Sequence, residues 1–220
     1  GMLQPVQGAL HKNLFMSEAE NLLAQMTPEE KVGQLFLITF SGTNISTDRK
    51  IYDLIVNHHI GNVILSAGMN NFVSESAIAS AYALTSGLQR IAWERTQLDD
   101  EEQSQNDLPV YIPLFIGIEQ EGNGYPSDQI LSGLTPLPSL MSIGASWDTQ
   151  LAQEVGQVMG SELAALGFNL FLGPSLDVVD TSNAENAYYS GTQTFGGDPY
   201  WVGELGKAYI AGIHTGSDGK

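Results

Sequence analysis

The sequence predicts an α/β fold built from parallel strand-helix repeats. Four short runs rich in branched and aromatic residues read as buried strands: Gln34 to Phe40, Asn62 to Leu65, Tyr111 to Ile118, and Phe168 to Leu172. The segments between them carry apolar residues at helical spacing, and strand alternating with helix implies a parallel sheet joined by crossovers. With 220 residues, 42% hydrophobic residues and 24 Gly, the chain is long enough to bury a sizeable core and turns often. Residues 1–17 read as an N-terminal extension and 18–220 as one domain.

Each helix has its own signal. Thr27-Pro28-Glu29-Glu30 offers an N-cap, a Pro at the first helical position and a Glu closing a capping box, just before the first strand. Asp48 to His58 places Ile51, Leu54 and Ile55 on one face. A longer helix after Ser74 carries Ile78, Tyr82, Leu88 and Ile91, then runs into the acidic stretch Asp99 to Asp107, which reads as a solvated loop. Asp148 caps a helix with Leu151, Val155, Val158, Met159 and Leu163 that ends at Gly167. Asp198-Pro199 repeats that logic for a helix through Val202, Leu205, Tyr209 and Ile213 to Gly216. Four units do not close an eight-unit barrel, so the alternatives are a compact open sheet or half of something larger.

Composition removes several functions. With 8 Lys+Arg against 25 Asp+Glu, the net charge of −17 argues against general affinity for nucleic acid. Zero Cys removes disulfides, thiolate nucleophiles and Cys-zinc sites. No apolar run approaches the roughly 20 residues of a membrane span, and Gly1-Met2-Leu3-Gln4 shows no signal-peptide pattern. Cytoplasmic and secreted locations both stay open.

In parallel α/β folds, ligands meet the carboxyl ends of the strands. After the third strand, Glu119-Gln120-Glu121-Gly122-Asn123-Gly124 places two carboxylates and an amide before glycines that permit a sharp turn. After the fourth, Asp177 sits between apolar residues; a half-buried Asp there either orients a substrate or caps a loop amide. Adjacent His58 and His59 point apart on a helix, which disfavours a shared metal. No phosphate-binding glycine loop and no G-x-S-x-G serine elbow occurs.

Taken together, these motifs resemble the N-terminal (β/α)8 domain, a TIM-type barrel, of glycoside hydrolase family 3 in its β-N-acetylhexosaminidase branch. Met26 to Leu35 is similar to the family's start, Gly61 to Leu65 with Asn70 to its second strand and loop, and Glu119-Gln120-Glu121-Gly122 to its D-Q-E-G motif. Leu134 to Ser139, Asn169 to Val178 and Phe195-Gly196-Gly197-Asp198-Pro199 follow in the family's order. The match runs from about Glu18 to His214 and covers about four of the eight units. Departures accompany it. Gly124 stands where the family motif has a sugar-holding Arg, Gln193 where a second Arg is expected, and Glu119 where the leading Asp accepts sugar hydroxyls.

The resemblance implies a retaining glycosidase acting on β-linked sugars, N-acetylglucosaminides first among them, whose nucleophile and acid/base lie beyond Lys220. No catalytic residue and no metal or organic cofactor is then implied for these 220 residues. Glu119, Gln120, Glu121, Asn70, Asp177 and Gln193 are the expected substrate-binding residues, with Glu119 foremost. The other readings are a non-catalytic carbohydrate-binding or scaffold protein that lost its Arg anchors, and an open flavodoxin-like sheet. Open sheet edges would favour self-association.

Overall fold

The computed structural model describes residues 18–72, 76–97, 111–124, 128–179 and 191–219. The N-terminal extension and the acidic run Asp99 to Asp107 lie outside the described residues. Strands β1 (Leu37–Ile38), β2 (Asn62–Ile64), β3 (Phe115–Ile118) and β4 (Leu170–Phe171) form one sheet in the order β1-β2-β3-β4, parallel throughout. Register pairs Leu37 with Asn62, Asn62 with Phe115, and Gly117 with Leu170. The described helices are α1 (Pro28–Gly33), α2 (Lys50–Val56), α3 (Ala77–Glu94), α4 (Leu140–Ser146), α5 (Thr149–Ala165) and α6 (Pro199–Gly216), preceded by a helical segment at 18–25.

The strands are shorter than the apolar runs that announce them, because the run ends do other work. Gln34 is the C-cap of α1, and its carbonyl, with that of Phe36, accepts from the Asn62 amide at 2.7 and 3.0 Å. Asn169 does the same at the start of β4, accepting from Ile116 N–H at 2.7 Å and donating to Leu114 O at 2.9 Å. Amides therefore stitch the amino ends of the strands where ladder hydrogen bonds stop.

Capping matches the sequence signals closely. Thr27 and Glu30 exchange both bonds of a capping box, and the Asp148 and Asp198 carboxylates accept from the first turns of α5 and α6. Two expectations are corrected, and one further helix appears. Tyr82 on α3 is exposed, since Ala77, Ala81, Leu84, Leu88 and Ile91 form the buried face. His58 and His59 fall beyond the end of α2, and His59 adopts φ 56°. Leu140–Ser146 is a helix that no periodicity argument identified.

One core packs α2, α3 and α5 on the sheet through Ile51, Ile55, Leu88, Ile116, Ile118 and Met159. A second joins α4, α5 and α6 through Leu140, Val155, Phe195, Leu205 and Tyr209. Helices α5 and α6 approach backbone to backbone: a methyl group on Gly156 would strike Tyr209 O, on Gly160 Ile213 O, on Gly212 Gln153 O, and on Gly216 Gln157 O. Those partners ascend together along both helices, so α5 and α6 are parallel and their N-termini lie together at the carboxyl end of the sheet.

At the opposite end, burial and the Arg95 guanidinium hold the His59 imidazole below its usual pKa. The unfolded chain then binds a proton more readily than the folded one, so this contribution is present above the ordinary His pKa and is lost as pH falls through the folded value. His59→Asn, which tolerates the left-handed backbone, is expected to flatten the fall in stability between about pH 7 and 5. Urea midpoints at both pH values check this, and parallel slopes for the two proteins would refute it.

Candidate functional site

The loops leaving all four strands are sewn into one rim. Asn71, fully buried, accepts from Ser66 N–H at 2.9 Å and donates to Phe40 O and Gly42 O at 3.0 and 2.8 Å, joining the β1 and β2 loops. Gln129 Oε1 accepts from Ala67 N–H at 2.9 Å, joining the β2 and β3 loops. The Asn123 amide donates to Thr192 Oγ1 at 3.4 Å, and the Thr194 hydroxyl donates to Asp177 O. Val179 N–H donates to Gly196 O at 3.0 Å, so the 191–197 loop closes on the β4 loop.

Within this rim the β3 loop folds around a buried carboxylate. Asp128 Oδ1 accepts from Glu121 N–H at 2.8 Å and Gly122 N–H at 2.6 Å, and Oδ2 from Gly124 N–H at 2.7 Å. Gly122 and Gly124 have φ of 90° and 85°, the left-handed region that lets successive N–H groups converge on one anion. A Cβ on Gly122 would also lie 2.7 Å from that of Leu137.

The expected site residues divide by environment. Glu119, directly after β3, is exposed at the rim. Gln120 is 1% exposed: its Oε1 accepts from Gln129 and Ile130 N–H at 2.9 and 3.0 Å, and its Nε2 donates to Ile130 O at 3.0 Å. The amide thus braces the loop from below. Glu121 is partly buried and, with Gln120, Phe171 and Tyr209, lines a small internal cavity. Burial, then the Glu121 and Asp128 charges, push the Tyr209 phenol pKa upward. Asp177 is exposed rather than half-buried, and its backbone supplies its bonds to Ser175 and Thr194. Asn70 is exposed with φ 56°, the left-handed cap of a short 3₁₀ turn, and Gln193 is partly buried on the 191–197 loop. Asp128, Asn71 and Thr194, which organise the rim, escape sequence reasoning; the only trace of Asp128 is an acidic residue closing a Gly-rich turn.

Among the described residues no group of three or more His, Asp or Glu is placed to hold a metal, and no helix is long and apolar enough to cross a membrane. A groove of about 570 Å³ around Phe36 and His59 lies at the amino ends of the strands, and one of about 250 Å³ runs along β4 from Phe168 to Gly173 against Ile213 of α6.

Parallel strands in sequence order, with the loops that follow them joined at their carboxyl ends, define a protein of the β/α-barrel class. The model for the Glycosyl hydrolase family 3 N terminal domain matches residues 27–217, and the chain belongs to this family. Beta-hexosaminidase A of Pseudoalteromonas piscicida is 33% identical over 164 residues, 73% of this chain and 24% of that protein. The beta-N-acetylglucosaminidase/beta-glucosidase of Cellulomonas fimi is 29% identical over 194 residues, 88% of this chain and 28% of that protein. A family 3 beta-N-acetylglucosaminidase structure from Paenibacillus sp. str. FPU-7 superimposes with TM-score 0.69 at 32% identity, covering 87% of this chain and 31% of that one. The chain thus spans about a quarter of the length of these two curated relatives.

Proposed function

We propose that the chain is the sugar-binding half of a retaining glycosidase acting on β-linked N-acetylglucosaminides. The observation that carries this reading is Glu119: an exposed carboxylate held at the carboxyl end of β3 by a buried brace, in the position of the family's hydroxyl-accepting Asp. A carboxylate there accepts from two neighbouring sugar hydroxyls, bonds worth about 1.5–3 kcal/mol each to a charged acceptor. Glu119, Asn70, Asp177 and Gln193 contact sugar in this reading, Gln120 positions the loop, and Glu121 borders the site floor.

Retaining hydrolysis needs a nucleophile and an acid/base about 5–5.5 Å apart across the scissile bond. Glu119 faces solvent while Glu121 turns toward Tyr209, which supports neither being half of that pair. The catalytic pair then belongs to a part of the protein outside these 220 residues, and the chain alone turns over no glycoside. The exposed Leu35, Phe36 and Leu37 fit faces that the remaining half of a barrel covers, and through which the isolated half self-associates. Gly124 and Gln193, in place of two Arg, favour a second reading, a non-catalytic carbohydrate-binding or scaffold protein.

The test uses the protein at its natural length with aryl N-acetylglucosaminide and aryl glucoside. Glu119→Gln is expected to raise KM about tenfold or more, one lost charged hydrogen bond, with folding intact. An unchanged KM removes Glu119 from the site. Absent turnover in the unaltered protein, with sugar binding retained, favours the scaffold reading.

A further inference from the structure

Three aromatic rings crowd the outer edge of the rim. Trp147 and Trp201 meet edge to face at 5.1 Å between centroids, and Trp201 meets Tyr200 at 5.6 Å. Trp147 is 58% exposed and Tyr200 67% exposed, unusual for rings whose burial would otherwise contribute to the core. Trp147 also occupies the left-handed region, φ 55° and ψ 27°, at the end of α4. A bulky residue there costs about 1–2 kcal/mol that Gly or Asn would not, so a conformation this unfavourable with its side chain in solvent points to a use for that side chain.

Topology puts the cluster on the ligand face. Trp147 directly precedes the N-cap of α5, and Tyr200 and Trp201 lie in the first turn of α6, both parallel helices that begin at the carboxyl end of the sheet. The 191–197 loop connects the cluster to the rim: it ends in the Asp198 cap, Thr192 O accepts from Met141 N–H at 3.2 Å, and Thr192 Oγ1 accepts from Asn123.

Charge narrows the occupant. Among the described residues the ionised groups beside the rings are the carboxylates of Asp148 and Asp198 and, further along α6, Glu204 paired with Lys207 at 2.7 Å, which leaves the cluster net negative, and the protein carries −17 overall. An anionic polymer or anionic membrane surface is repelled. A neutral sugar chain is not: its C–H faces stack on aromatic rings while its hydroxyls bond to acceptors such as these.

We propose that Trp147, Trp201 and Tyr200 form a platform on which a neutral β-linked glycan chain stacks as it leads toward the strand-end site. The idea rests on the β-glycosidase reading for its ligand class.

Titration calorimetry of the natural-length protein with chitohexaose and cellohexaose, beside the aryl N-acetylglucosaminide assay, tests it. Trp147→Gly and Tyr200→Ala remove exposed rings and keep the fold; Trp201→Ala, partly buried, is confirmed by circular dichroism. Each is expected to weaken hexaose binding about fivefold or more, the worth of one aromatic contact, with the aryl-glycoside KM unchanged. Unchanged hexaose affinity overturns the platform, as does failure of the unaltered protein to bind either hexaose. A change in thermal stability without a change in affinity also overturns it, and assigns the patch to contact with another part of the protein. Ring-dependent hexaose binding without any glycoside turnover keeps the platform and removes the glycosidase reading.

Discussion

Gly160→Val is expected to destabilise the protein by about 3 kcal/mol, the upper end of overpacking costs. Position 160 faces the Ile213 carbonyl across the α5–α6 contact, and a side chain can be fitted only by separating two helix backbones. Separation would also loosen Val155, Leu205 and Tyr209, which fill the space beside the contact. The control is Gly203→Ala on α6, where an added methyl meets nothing within 4 Å. It is expected to stabilise by about 0.4–1 kcal/mol through reduced freedom of the unfolded chain and better helix propensity. Urea unfolding of both variants checks the pair; equal midpoints would show that the helices are not in backbone contact.

Asp128→Ala is the second large effect. Its carboxylate satisfies three loop N–H groups at once, and an unsatisfied buried donor costs about 1–3 kcal/mol. A loss of about 3 kcal/mol or local melting of the β3 loop is expected, together with loss of the sugar binding proposed for Glu119. Asp128→Asn separates the contributions. An amide oxygen in place of Oδ1 still accepts from Glu121 and Gly122, but the amide nitrogen then faces the Gly124 N–H, donor against donor. Hydrogen exchange should therefore show Gly124 deprotected more than Glu121 and Gly122. Uniform protection in both variants would mean that Asp128 does not hold the loop.

Which features were legible in the sequence follows from the range of the interactions involved. Capping boxes and Asp caps act within three residues, so Thr27, Asp148 and Asp198 could be placed without knowing anything distant. Parallel order followed from the strand-helix alternation and the handedness of crossovers. Strand ends were less legible because the amides of Asn62 and Asn169 replace ladder bonds there, and an amide in a strand run looks like any polar residue. The glycines of α5 and α6 read as helix-weakening until a second helix lies against them.

At the site, Glu119 and Glu121 were singled out by their position after a strand, yet two residues of separation gave them opposite environments. Gln120 and Asn71 show why function and structure blur in a single sequence: both are amides in loops that follow strands, and only their backbone partners, 5 to 31 residues away, reveal that they build the rim. Asn70 and Asn71 differ only in which one the 3₁₀ turn directs inward.

Mapping of the glycosyl-enzyme adduct locates the nucleophile. The natural-length protein is incubated with an activated fluoro-substituted N-acetylglucosaminide, which slows release of the covalent intermediate, and the labelled peptide is identified by mass spectrometry. One adduct is expected, on a carboxylate outside residues 1–220, formed about tenfold or more slowly by Glu119→Gln at subsaturating reagent. An adduct on Glu119, Glu121 or Asp177 would overturn the proposed division of labour, since this half of the barrel would then carry the chemistry itself.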